Sequence, residues 1–559
     1  MEPSGRRTFA RVLPAVVVGI AIALPLVELW RAPGPPMEEG FMLVFPELVA
    51  DGRVPNRDFL HLYGPGSLWV LAGAFRAFGT TLATERAIGV LQLAGVAFGI
   101  LAATRRWGPA VAATGGVLAA VVVVPPIGLT ALAWVGAVAF GLWSLVSGFA
   151  GADASTDRSA RARAVLVGGA GFLAGAALLY RPDLIVAVGA SGLVVWTALD
   201  RAGRIRYLVG AALGVVPYLF HIARAGLGNV IDGLIIEPVF DLRGGRRLPL
   251  PPSWGEFDGF LQRAGLLIEP PWPLPAPPSP AQLSLWLGLL LAANVVLVVA
   301  GVRAARRGER LLLALALFSV GLLPQALQRA DSTHLAWVSC VPFGLLPAAV
   351  ADLVRTWRPS WKPRATAAVA IAVPVVATLV LVPHFTWRTY ADYVARSFEL
   401  RDVAAGTIRR GDREFPYGRL DAVDAVHAMI PDVERVSEPG DSLFVGTGDL
   451  RKTPYSEAFL YYLFPELPPA TRYIEMDPGV ANAVDSGLAD ELRAADIVIL
   501  SSIRDDWDEP NDSRDFGPNE PNEVIAEEFC AVGSYGVGLF GRGLYELYER
   551  CDDVGSTAG

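Results

Sequence analysis

Cysteine is nearly absent from this chain of 559 residues: Cys340, Cys530 and Cys551 are the only three. That excludes a disulfide-built scaffold and a cysteine-rich metal centre. Histidine is scarce too, with five residues set far apart and no HExxH spacing, so a histidine metal cage is not expected. Lysine is confined to Lys362 and Lys452, and arginine carries the rest of the positive charge, a codon signature of a GC-rich bacterial genome. Charge itself is short. Asp, Glu, Lys and Arg make up 18% of the chain, against about 25% in an ordinary soluble domain. The deficit excludes a soluble globular protein, a disordered chain and a collagen-like repeat.

Apolar surface is what the chain has in excess. Hydrophobic residues reach 53%, and the mean hydropathy is +0.42. A helix crosses a bilayer in about 20 residues at 1.5 Å rise each. Runs of suitable length and composition lie near 11–30, 84–104, 109–124, 127–148, 164–180, 184–200, 207–222, 283–302, 311–324, 335–353 and 365–384. Eleven spans are therefore expected. The apolar stretch 67–78 is too short and is expected at the membrane interface.

Charge is unevenly divided. Residues 391–559 carry 34 acidic and 15 basic residues, which leaves 21 acidic and 32 basic residues in the remainder. A basic membrane domain, 1–390, followed by an acidic water-soluble domain, 391–559, is the expected organisation. The acidic part repels nucleic acid. Arg6, Arg7 and Arg11 flank the first run and place the N-terminus in the cytoplasm by the positive-inside rule. No signal-peptidase-like site follows, so this run is read as an anchor. Alternating sides puts Arg105 and Arg106; Arg158, Arg161 and Arg163; Arg201, Arg204 and Arg206; Arg303, Arg306, Arg307 and Arg310; and Arg355, Arg358, Lys362 and Arg364 in cytoplasmic loops. The soluble C-terminal domain then lies outside the cytoplasm, as do two long loops, 31–83 and 224–282. The second ends in a proline-rich stretch, 269–280, expected to be extended and to act as a stiff spacer.

The first outer loop concentrates polar chemistry. It holds Glu38-Glu39-Gly40, then Gly52-x-x-Pro55-x-Arg57-Asp58-Phe59, then His61 and Tyr63-Gly64-Pro65. Two further polar islands face the same side: Tyr180-Arg181-Pro182-Asp183, and the segment from Pro324 to His334 with Arg329 and Asp331. Ionisable groups at membrane depth are costly and are functional candidates by default. His221 lies near a span end and reads as interfacial.

The first-loop motifs resemble the first extracytoplasmic loop of GT-C superfamily glycosyltransferases, which include the lipid A aminoarabinose transferases and the protein mannosyltransferases. The resemblance implies a multi-pass α-helical membrane protein and a polyprenyl-phosphate-linked sugar donor. It also implies an acidic residue of this loop as catalytic base. The usual pair there is Asp-Glu; here it is Glu38-Glu39, with Glu38 at the first position and the choice between them open. A positioned base takes the acceptor hydroxyl proton. A guanidinium fork suits the departing phosphate, for which Arg329 and Arg181 are candidates, with Arg57 third. Asp58, His61, Tyr63, Asp183, Asp331 and His334 are candidates for binding or orienting substrate. Asp58 and His61 are also the candidates for a divalent cation, and no cofactor is required by the pattern.

In the C-terminal domain, strands at 441–446, 472–475 and 496–501 alternate with helices at 456–464, 480–495 and 522–529, which suggests a small α/β domain. Segment 505–522 is acidic and turn-rich and is expected to be a surface loop. Cys530 and Cys551 are either bridged, with 530–535 and 543–551 paired as antiparallel strands, or both reduced and buried. The reading is a bacterial plasma-membrane glycosyltransferase that moves one sugar, with inversion, from a polyprenyl-phosphate donor to a glycan, lipid or protein acceptor. Two rivals stand beside it: a transporter or lipid flippase, and an inactive scaffold with an outer binding domain.

Overall fold

The computed structural model describes residues 3–155, 157–252, 279–400, 406–505, 509–538 and 542–551. Most of the proline-rich stretch lies outside these residues. Among the described residues, nine helices are long and apolar enough to cross a membrane: Leu82–Trp107, Pro109–Ile127, Ala133–Ala152, Ala160–Tyr180, Arg201–Ala225, Pro280–Arg306, Leu311–Gln328, Ser332–Trp357 and Pro363–Leu381. They match nine of the eleven expected runs. The other two runs hold the helix Pro3–Ala23, which ends just before Pro25, and the shorter apolar helix Pro182–Ala198, whose first turn is a 3₁₀ turn opened by Pro182. The run expected at 127–148 starts later, at Ala133, because Pro125 and Pro126 close the preceding helix and Gly128 turns the chain at φ +60°. The stretch 67–78 forms the helix Gly66–Phe78, too short to cross upright.

Helix packing relies on small residues. Ala160–Tyr180 and Arg201–Val215 touch through Gly171, Gly175, Gly210 and Gly214, and a methyl group on Gly171 would lie 1.9 Å from the Tyr207 carbonyl. Backbone approach of this kind is the usual means of helix association in lipid. Ser332–Trp357 is buried along most of its length and forms the centre of the bundle. The arginine-rich connections meet one another on one face. Arg307 pairs with Asp352 at 2.7 Å, Arg106 approaches Glu309 at 3.9 Å, and Arg355 and Arg310 donate to the Trp107 and Thr197 carbonyls. The polar islands around Arg181 and Arg329 lie at the opposite helix ends.

The C-terminal part is smaller and carries sheet. Strands β1 (Gly406–Arg410) and β2 (Arg413–Tyr417) form an antiparallel hairpin backed by the helix Leu420–Val436. A second sheet has the order β3-β4-β6-β5, with β3 (Leu443–Thr447), β4 (Ile497–Ser501), β5 (Phe529–Tyr535) and β6 (Tyr545–Arg550). β3 and β4 are parallel and fully buried, which is why both read as continuous apolar runs. β5 and β6 are antiparallel, and Cys530 is joined to Cys551 with Cα atoms 5.0 Å apart. Three expected elements differ. Residues 472–475 form no strand, and the helices expected at 456–464 and 480–495 shrink to Phe459–Leu463 and Leu488–Arg493. Chain there is spent on irregular backbone that reaches towards the helical part.

Three contacts of residues 31–83 help to seat the sheet-bearing part on the helices. Glu47 receives both arms of the Arg413 fork at 2.8 and 2.5 Å. Gly40 lies against the Phe459 backbone, where a methyl group would come within 3.0 Å of its nitrogen. The Leu60 N–H donates to the Arg472 carbonyl at 2.9 Å.

Candidate active site

Glu38 and Glu39 open the helix Pro36–Ala50, with Pro36 in the first turn where its missing N–H costs nothing. Adjacent helical residues point about 100° apart. Glu39 turns inward and is fully buried. Its oxygens accept from Arg86 at 2.7 and 2.8 Å, and Arg86 also donates to the carbonyls of Leu29, Trp30 and Ala32. This clamp ties the helix start to the preceding turn. Glu38 turns the other way and lines a cavity of about 250 Å³. Its Oε2 is buried without a hydrogen-bond partner. Burial raises the Glu38 carboxyl to about 8, against the pull of Arg504 and Arg246.

Three arginines face this carboxyl across the cavity, each from a different element. Arg181 follows the helix Ala160–Tyr180 and forks Asp183 at 2.8 and 2.6 Å. It lies 4.3 Å over the Tyr63 ring and 5.2 Å from the Trp134 ring. Tyr63 is brought there because the Gly64 N–H donates to the Tyr180 carbonyl. A methyl group on Gly64 would lie 2.1 Å from the Leu179 carbonyl, so only glycine fits. Arg329 follows the helix Leu323–Gln328. It forks Glu509 at 2.9 and 2.5 Å and donates to Asp331 at 3.2 Å and to the Arg246 carbonyl at 3.0 Å. Asp331 caps Ser332–Trp357, accepting from the His334 backbone and ring at 2.8 Å each. Arg246 ends the short helix Leu242–Arg246 and pairs with Asp477 and, at 3.5 Å, with Glu475. Burial and the neighbouring Asp477 raise the Glu475 carboxyl to about 8.

The structure thus brings Glu38, Tyr63, Arg181, Asp183, Arg329 and His334 to one cavity, with Asp331 directly behind Arg329. It does not bring Glu39, Arg57, Asp58 or His61 there. Arg57 and Asp58 bind each other at 2.8 Å on the surface, and Asp58 also accepts from the Val54 N–H, closing a turn in which Asn56 has φ +65°. His61 is buried against Phe45 and Tyr63, and burial lowers its ring to about 3, so it is neutral. Among the described residues, no group of three or more His, Cys, Asp or Glu side chains has the arrangement to hold a metal ion.

Arg246, Glu475 and Glu509 line the cavity without having been singled out in the sequence, and Tyr455 joins them at φ +88°, a strained conformation for a non-glycine residue. The surface loop expected at 505–522 is corrected at this point, since Glu509 is buried inside the molecule against Arg329. The run Arg243-Gly244-Gly245-Arg246-Arg247 in an outer loop was an available signal for Arg246. Glu509 had none, because one acid among many looks like solvated chain.

The architecture has counterparts among solved structures. The crystal structure of ArnT from Cupriavidus metallidurans bound to undecaprenyl phosphate superposes with a TM-score of 0.51 at 14% identity, covering 96% of this chain and 98% of that one. The fold is GT-C-like. The oligosaccharyltransferase of Archaeoglobus fulgidus, tethered with an acceptor peptide, aligns over 97% of this chain and 74% of its own, with 12% identity and a TM-score of 0.46. No protein-family model matches the chain, and no curated protein matches its sequence. In this GT-C-like fold the cavity sits between the first-loop helix, the ends of the apolar helices and the sheet-bearing part.

Proposed function

We propose that the protein is a membrane glycosyltransferase that moves a sugar from a polyprenyl-phosphate donor to an acceptor outside the cytoplasm, with Glu38 as general base. The supporting observation is the unpartnered carboxyl oxygen of Glu38, on a cavity lined by three arginines in a GT-C-like fold. The ArnT structure with undecaprenyl phosphate supports a lipid phosphate as the donor's leaving group. Residues 1–390 would form the membrane domain and 391–559 an outer domain that closes the cavity through Tyr455, Glu475 and Glu509.

The chemistry balances on these residues. The acceptor hydroxyl oxygen attacks the anomeric carbon, its proton passes to Glu38, and the bond from that carbon to the phosphate oxygen breaks. Polyprenyl phosphate leaves with the bonding electron pair. Attack opposite the leaving group inverts the anomeric centre. Arg329 and Arg181 stabilise the charge growing on the phosphate, each through a planar fork. Arg246 pairs with Glu475 and Asp477, and Glu475, which lines the cavity, would receive a sugar hydroxyl. Tyr63 and His334 shape the wall.

Purified protein in lipid nanodiscs, supplied with a panel of polyprenyl-phosphate sugars, is the test. At least one donor is expected to be consumed with release of polyprenyl phosphate. Glu38→Gln is expected to lower that rate roughly 10²–10⁴-fold, the usual worth of a positioned base. Equal turnover by Glu38→Gln and wild type removes Glu38 from the chemistry.

A further inference from the structure

The Arg329 fork is occupied by a carboxylate of the chain itself. Glu509 accepts from both arms, at 2.9 and 2.5 Å, and each residue is almost wholly shielded from water. A carboxylate and a phosphate present the same feature to a guanidinium, two oxygens in one plane at matching spacing. The two partners come from distant parts of the chain, 180 residues apart.

We propose that Glu509 is a resident stand-in for the donor phosphate, held by Arg329 until the lipid phosphate replaces it. The inference rests on the donor reading above. Charge balance argues for exchange over simple addition. Each of the three cavity arginines already has carboxylate partners: Asp183 for Arg181, Asp477 and Glu475 for Arg246, and Asp331 and Glu509 for Arg329. A further anion entering a buried site so matched leaves an uncompensated charge unless one carboxylate withdraws. Asp331 is fixed as the cap of Ser332–Trp357. Glu509 lies on irregular chain, so it is the group at Arg329 free to leave.

Its withdrawal has a mechanical consequence. Asn511 donates to Glu509 at 2.9 Å, and its own side chain accepts from the Ser513 N–H at 3.0 Å. Asp512 packs so closely on Gly244 that a methyl group there would lie 2.3 Å from its oxygen. Segment 509–514 therefore joins Arg329 to the helix that carries Arg246. Donor arrival at Arg329 loosens this segment and opens the side of the cavity built by the sheet-bearing part, the side left for the acceptor.

The test measures binding of undecaprenyl phosphate to the full-length protein in nanodiscs. Glu509→Gln preserves shape and removes the competing charge, so the dissociation constant is expected to fall about tenfold. Adding Arg329→Gln should abolish that gain, as expected for two coupled residues. Unchanged or weaker binding in Glu509→Gln overturns the proposal and marks Glu509 as a structural counter-ion. Undecaprenyl phosphate binding that ignores Arg329→Gln in the single variant overturns the donor reading at Arg329, and the proposal with it. Labelling provides an arm that leaves Glu509 in place. The buried Ser513→Cys should react faster with maleimide once undecaprenyl phosphate is added, and an unchanged rate counts against release of the segment.

Discussion

Two neighbouring glutamates in one helical turn do opposite work. Glu39 is paired with Arg86 inside the protein, while Glu38 keeps an oxygen without a partner. Because burial raises Glu38 to about 8, a base at this position is mostly protonated near neutrality. The pH dependence of kcat/KM should therefore rise about tenfold per unit towards pH 8 and level off above it. A flat profile across that range contradicts the assignment. The same shift makes a stability statement. The folded carboxyl holds its proton to a higher pH than the unfolded one, so its contribution is complete below about 4.5 and is lost as the pH passes about 8. Glu38→Gln has no such proton to lose. Its melting temperature should gain on the wild type as pH increases over that window, which calorimetry at several pH values reads directly. Arg329→Lys keeps the charge and loses the fork, so undecaprenyl phosphate binding should weaken while membrane insertion is unaffected.

At the scale of elements, the helix Pro36–Ala50 is held at both ends, by Arg86 on Glu39 and by Arg413 on Glu47. The first clamp is inside the helical part; the second comes from the β1–β2 hairpin. Glu38 is thus aimed by two separate parts of the chain. The β5–β6 pair is stapled by Cys530–Cys551, a sequence separation of 21. Closing a loop of that length stabilises by about 3 kcal/mol in the chain-entropy model. Replacing both cysteines by serine should lower the protection of β5 and β6 amides against hydrogen exchange by about that amount. Protection equal to the wild type would show that the strands hold their register without the bond.

For the whole molecule, the arginine-rich connections gather at one end of the bundle and the cavity lies at the other. The orientation we propose from the positive-inside rule turns the cavity and the sheets away from the cytoplasm. A membrane-impermeant maleimide should label Gly448→Cys in intact cells and Arg306→Cys only after permeabilisation. Labelling of Gly448→Cys from the cytoplasmic side alone would reverse the orientation and place the acceptor on the wrong side of the membrane.

Composition and run length determined the membrane architecture, because a bilayer demands long apolar helices wherever the chain crosses it. They located the nine long helices found among the described residues, and the positions of arginine sorted the helix ends into two faces. The short motif at Glu38 and the islands at Arg181 and Arg329 were legible for the same reason: polar groups at the edge of lipid stand out. Glu39, Arg57, Asp58 and His61 looked equivalent to them in sequence, and only the fold separated the groups. Which way a side chain points depends on helix phase at Glu39, on a local turn at Asp58 and on aromatic packing at His61. Most of the cavity's far wall was hidden. Glu475 and Glu509 come from segments whose charges resemble ordinary solvated chain, and long-range packing alone turns them inward. Tertiary structure decided the site because a buried charge must find its partner in space, and that partner can lie 180 residues away.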